Sequence, residues 1–153
     1  MERGELNRGE YAALLSRMAG YYFAVARRIP MEPLRLQFLR RDLTVVGATP
    51  PPDVDLPPVE DEARRLGWRY VVEGSVFGGR VIYRQLDYLF GEEEAGRSFF
   101  RGAASGARHW QALCAELENA ASTPGAVEEM IEGALDAFAA FEDVMGAAEL
   151  AHA

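Results

Sequence analysis

Apolar side chains return every three or four positions through most of this chain, the spacing that lines one face of an α-helix. Tyr11, Leu14, Leu15, Met18, Tyr21, Tyr22 and Val25 form the first such series and predict a helix to about Arg28. Asn7, with Glu10 three residues on, suits its start as a capping-box pair. After the break "IPMEP", Pro33 fits the first turn of a second helix with Leu34, Phe38, Leu39, Leu43 and Val46 turned inward and Gly47 past its end. "ATPPPDVDLPP" is too rich in proline for helix or central strand and reads as an extended linker. A long third helix is predicted from near Val59 to Phe90, then a short helical piece over "EEEAGRSFF", then a helix carrying Trp110, Leu113, Cys114 and Leu117. Thr123–Pro124 signals the start of the last helix, with Val127, Met130, Ile131, Ala134, Leu135, Phe138, Phe141 and Met145 in register. No repeat and no strand pattern interrupts the series, so residues 1–153 read as one all-α domain, a helical bundle.

The third helix carries an anomaly. Within "YVVEGSVFGGRVIYRQL", residues 70–86, glycine stands at 74, 78 and 79 between apolar flanks. Each interior glycine costs a helix about 1 kcal/mol relative to alanine, so the run gives up roughly 3 kcal/mol. Gly74 and Gly78 are four apart and share a face, with Gly79 beside them, which leaves a flat strip of backbone. Close packing of another helix, a bend, or a flat ligand lying on the main chain would each use such a strip. The stretch is expected to bend. A phosphate loop is a poor match, because "GSVFGG" has neither a preceding strand nor a following GK[ST].

Composition narrows the function classes. The chain has 153 residues, 49% hydrophobic and 26% charged, and it is long enough to bury a core. No apolar run approaches a membrane span, and "MERGELNRGE" lacks the apolar segment of a signal peptide. With Cys114 as its one cysteine, no internal disulfide can form, which fits a reducing cytoplasm. All sixteen basic residues are arginine, and the net charge is −8. Residues 1–101 are neutral, so the whole excess of acid lies in the last third, the wrong sign for a nucleic-acid partner. Arg27, Arg28, Arg35, Arg40 and Arg41 crowd one region and read as a solvated face or a docking patch for carboxylates.

"YVVEGSVFGGRVI" resembles the distal-helix signature of haem oxygenases, especially the bacterial type that makes biliverdin for phytochromes. The likeness extends to "LNRGEYAALLSRMAGYYFAV" and to "TPGAVEEMIEGALDAFAAFEDVM", and so covers most of the chain in order. It implies a haem-oxygenase-like bundle in which the glycine helix bends over haem, which is both cofactor and substrate. Gly74, Ser75 and Gly78 are then the catalytic positions. Gly74, Ser75, Gly78 and Gly79 would line the distal face, with Tyr70 and Phe138 as further haem contacts. An electron-donor protein is an implied partner. The family's iron-binding histidine lies on a helix upstream of the segment matching "LNRGEYAALL", where this chain begins, and neither His109 nor His152 stands at that position. No metal-ligating residue is therefore assigned. Two functions follow: an enzyme degrading haem to biliverdin, iron and CO, or a non-catalytic scaffold acting through protein partners. A bundle lacking that helix would expose apolar surface, so a homodimer through Leu14, Met18 and Tyr21 is expected.

Other residues have plainer readings. His109 suits a surface or capping place. Glu149 and His152 have the Glu-x-x-His spacing of di-iron bundles, but such a site needs two pairs. Cys114 has no evident neighbouring base and suits a core position. Tyr21 and Tyr22 could ligate ferric iron, but they lie in an aromatic stripe that suits packing.

Overall fold

The computed structural model describes residues 5–52, 54–102 and 106–152, with side chains up to Gly146. Seven helices follow in order: α1 (Arg8–Ala26), α2 (Pro33–Val46), α3 (Glu62–Gln85), α4 (Asp87–Phe90), α5 (Ser98–Arg101), α6 (Gly106–Ala121) and α7 (Ala126–His152). No strand occurs among the described residues.

The first two helices begin and end where local chemistry predicts. The Glu10 amide donates to Asn7 Oδ1 at 2.8 Å, and the Asn7 amide donates back to Glu10 Oε1 at 3.0 Å, completing the capping box. Pro33 opens α2, and Gly47 closes it at φ 71°, a left-handed conformation that favours glycine. The inward face of α2 differs from expectation at one turn: Leu34 is exposed, whereas Arg35 is buried with Leu39, Asp42 and Leu43. The linker lies against α1, where Arg27 donates to the Val54 carbonyl and Arg28 to the Leu56 carbonyl, each at 2.7 Å. Pro51 and Val54 press so closely on Gly20 that a Cβ there would stand 3.0 Å from Val54.

The third helix is shorter at both ends than its pattern predicted. Asp61 caps it, accepting from the Ala63 amide at 2.8 Å, so Val59 and Glu60 remain in the linker. It stops at Gln85 because the buried Arg97 gathers the following turn. Its guanidinium donates to the Tyr83 carbonyl and Asp87 Oδ1 at 2.6 Å and to the Gly91 carbonyl at 2.8 Å. Residues 62–85 are helical without interruption through all four glycines. "EEEAGRSFF" is helical only from Ser98, where Asp42 receives the Ser98 and Phe99 amides at 3.0 and 2.7 Å. Thr123–Pro124 forms the turn before α7 rather than its first residues.

α3 packs against α4, α5, α6 and α7, while α1 packs against α2 and α7. The crossing of α3 and α7 brings backbone onto backbone: a Cβ on Gly67 would run into the Met130 carbonyl oxygen, and one on Gly133 into that of Arg64. The stripe predicted for α7 is divided. Met130, Ala134, Phe141 and Met145 are partly buried, whereas Val127, Ile131, Leu135 and Phe138 are exposed. The self-association contacts are corrected as well. Met18 and Tyr21 are buried in the chain's own core, Tyr21 donating to the Ala137 carbonyl at 3.0 Å, and Leu14 packs on the same core.

Candidate functional site

Beyond the crossing of α3 and α7 lies a cleft of about 580 Å³, within the range of small-molecule sites. α3 supplies one wall with Tyr70, Val71, Gly74, Ser75, Phe77 and Gly78. α7 supplies Ala134, Phe138 and Phe141, α1 supplies Tyr21 and Tyr22, and α6 supplies Trp110. The walls are mainly aromatic and aliphatic, with a few hydroxyl groups. A Cβ added to Gly78 would meet nothing within 4 Å, so bare main chain faces the space there.

One polar group backs this apolar surface. Arg35, only 6% exposed, reaches from α2 behind α3 and donates to the Val72 carbonyl at 2.7 Å and to Ser75 Oγ at 2.8 Å. Its guanidinium lies over the Phe99 and Tyr22 rings, 4.6 and 5.2 Å from their centres, a cation–π arrangement. Burial lowers its pKa from the usual arginine value, opposed by the neighbouring Tyr22 and Glu73. Arginine nevertheless stays protonated in proteins. Tyr22 also donates to Ser75 Oγ, at 3.1 Å, and Ser75 donates to the Val72 carbonyl at 2.6 Å. The serine hydroxyl thus uses its donor and both acceptor positions. Glu73, beside Gly74 on α3, has its carboxyl pKa raised by burial, and the nearby Arg69 pulls in the opposite direction.

The structure brings Tyr70, Gly74, Ser75, Gly78 and Phe138 to this one cleft. Gly79 does not join them. One residue on from Gly78 the helix has turned by about 100°, and a Cβ on Gly79 would lie 3.0 Å from the Phe100 carbonyl oxygen on α5. His109 does not line the cleft and pairs through Nε2 with Glu32 Oε2 at 2.5 Å. The side chains of Glu149 and His152 lie outside the described residues. Cys114 is partly buried. Of the five clustered arginines, Arg35 is internal and Arg28 holds the linker and Asp55, while Arg27, Arg40 and Arg41 are exposed, Arg27 also reaching Asp55 and Arg40 lying over the Phe23 ring. Sequence reasoning missed Arg35 and Trp110 as parts of the site. Arg35 carried a signal, since it stands four and eight residues before Leu39 and Leu43 on one helix face.

The family model named Heme oxygenase matches residues 51–147, a span that contains α3 to α6, the glycine strip and most of α7. The chain belongs to the haem oxygenase family. A haem oxygenase of Xanthomonas campestris pv. campestris (strain 8004) is 36% identical over 114 residues, covering 74% of this chain and 68% of that one. The fold agrees with a crystal structure of the NO- and CO-bound haem oxygenase from Neisseria meningitidis. That match has a TM-score of 0.68 at 24% identity, over 90% of this chain and 77% of the other. Haem is the substrate of the haem oxygenase family, and the cleft offers mainly apolar walls with exposed main chain at Gly78.

Proposed function

We propose that this chain binds haem in the α3–α7 cleft and degrades it to biliverdin, iron and CO, drawing electrons from a redox-protein partner in the cytoplasm. The observation that carries this reading is Gly78, whose uncovered backbone opens onto an apolar space of about 580 Å³. Bound haem supplies the iron and the ring at which oxygen chemistry occurs. The protein's own contribution is position and polarity. Gly78 admits the ligand plane to the main chain, while Phe138, Phe141 and Tyr21 keep water from its surroundings. Arg35 places a fixed positive charge behind Ser75, where it favours negative charge developing in the cleft. Ser75 acts as the joint that holds Arg35, Tyr22 and the Val72 carbonyl in register, since its own hydrogen-bonding capacity is already taken. No described helix is long and apolar enough to cross a membrane.

Titration of the purified protein with haemin, followed by addition of oxygen and a reducing partner, tests this reading. A saturable Soret complex that converts to biliverdin is expected. Haemin binding without biliverdin would leave a haem-binding protein lacking turnover. Absence of any complex would favour the non-catalytic scaffold.

A further inference from the structure

Gly74 and Gly78 lie one turn apart and line the same cleft, but only Gly78 is bare. A Cβ on Gly74 would lie 3.3 Å from both Cζ3 and Cη2 of Trp110, tighter than ordinary van der Waals contact. The indole therefore already occupies the place that the missing side chain of Gly74 leaves free. It is held from several directions. It stacks on Tyr70 with ring centres 5.4 Å apart and planes inclined by 27°, and it meets the Phe77 ring edge-on at 5.4 Å. Its chain neighbour His109 is paired with Glu32 of the α2 cap at 2.5 Å, and Glu116, further along α6, receives Arg69 of α3 at 3.0 Å. Buried Leu113 adds an apolar anchor on the same helix. These ties link the helix that bears Trp110 to both α2 and α3.

We propose that Trp110 is the positioning residue that sets where a planar ligand sits along α3. It covers the main chain at Gly74 and confines close approach to Gly78. A ligand moved one helical turn toward Gly74, about 5.4 Å, would run into the indole. The sector of the ligand edge presented to the helix is thereby chosen by a side chain from α6. This inference rests on the haem reading given above, because it assigns a role toward that ligand.

Wild type, Gly74→Ala, Gly78→Ala, Trp110→Ala and Trp110→Phe are titrated with haemin and with iron-free protoporphyrin IX, whose binding needs no axial ligand. Gly78→Ala is expected to weaken both porphyrins about tenfold, and Gly74→Ala less than about threefold, because the indole already fills that place. In the proton NMR spectrum of bound haemin, Trp110→Ala should change the ratio of porphyrin seatings, while Trp110→Phe keeps the wild-type pattern. Equal losses for Gly74→Ala and Gly78→Ala, or an unchanged NMR pattern in Trp110→Ala, would overturn the inference. So would tighter binding by Trp110→Ala, the mark of a flap that blocks the cleft. Thermal melts of both Trp110 variants identify any change that comes from unfolding, and the unequal losses of Gly74→Ala and Gly78→Ala carry the test if Trp110→Ala does not fold. If wild type binds neither porphyrin, the haem reading fails and this inference with it. If wild type binds both and the variants follow the overturning pattern, only the role of Trp110 fails.

Discussion

Gly67 and Gly78 lie eleven residues apart on α3 and, at 3.6 residues per turn, on nearly the same face. At Gly67 that face is closed by the backbone of α7, which meets it at Met130 and Ala134. At Gly78 it is open, and a side chain there would touch nothing. The same residue type thus does opposite work at two places on one helix. The first glycine raises stability by letting two helices touch, and the second gives up stability to leave a space. Gly74 lies between them in position and in kind, since an indole covers it. Gly79 belongs with the packed class, facing α5.

The largest effect expected from this contrast is at the crossing. Gly67→Ala forces a methyl into a carbonyl of the neighbouring main chain, which cannot move aside as a side chain could, and should cost about 3 kcal/mol. Urea denaturation measures it, and a loss under about 1 kcal/mol would mean that the helices separate easily. Gly79→Ala meets a carbonyl oxygen at 3.0 Å and should cost less, about 1 kcal/mol after the gain in helix propensity. Gly78→Ala should run the other way and stabilise the ligand-free protein by about 0.5–1 kcal/mol, because nothing opposes the better helix former. A destabilised Gly78→Ala would show that the strip is packed against something and would erase the contrast.

The smallest effect concerns Glu73, next to the covered glycine. Its raised carboxyl pKa means that the folded state holds the proton more tightly than the unfolded chain does. The stability that Glu73 contributes should therefore be fully present below the ordinary glutamate pKa of about 4.3 and be lost as pH rises through the raised value. Glu73→Gln removes that slope. Paired urea curves from pH 4 to 7 should show the difference in stability moving in favour of Glu73→Gln as pH rises; parallel curves would contradict the assignment. Asp42 also titrates upward through burial but contributes equally to both proteins, so it cancels in the difference.

How much of this was readable in advance depends on the range of the interaction. The capping pair Asn7–Glu10 and the Pro33 and Gly47 boundaries are settled by neighbours within a few residues, and the structure follows them. The end of α3 was misplaced because it is set by Arg97, reaching back 14 residues to the Tyr83 carbonyl. The cleft residues Tyr70, Gly74, Ser75, Gly78 and Phe138 were nameable through the resemblance of the glycine motif to a family. The resemblance also implies Gly79, but one residue past Gly78 the helix has turned that position toward Phe100 on α5. Arg35 and Trp110 are not legible as site residues because each acquires its place only in three dimensions, Arg35 by reaching Val72 and Ser75 of α3 and Trp110 when α6 packs onto α3. A buried guanidinium and a surface one look alike in a string of letters until the apolar stripe is counted through them.

The contact between Tyr21 and the Ala137 carbonyl joins residues 116 positions apart. Together with the Gly67–Gly133 crossing, it means that the core is finished only by the last helix. During synthesis, α1 to α3 emerge many residues before their principal partner, and translation at about 5–20 residues per second leaves that apolar surface uncovered for seconds. A nascent chain stopped before α7 would carry Tyr21 and Trp68 without the helix that contributes Ala137, Phe141 and Met145 to their cluster. Such a chain is a natural client for chaperones, and a ribosome-stalled product ending near residue 121 should be degraded faster than the full-length protein. The long reach of this architecture makes α7 a condition for closing the core around Tyr21 and Trp68.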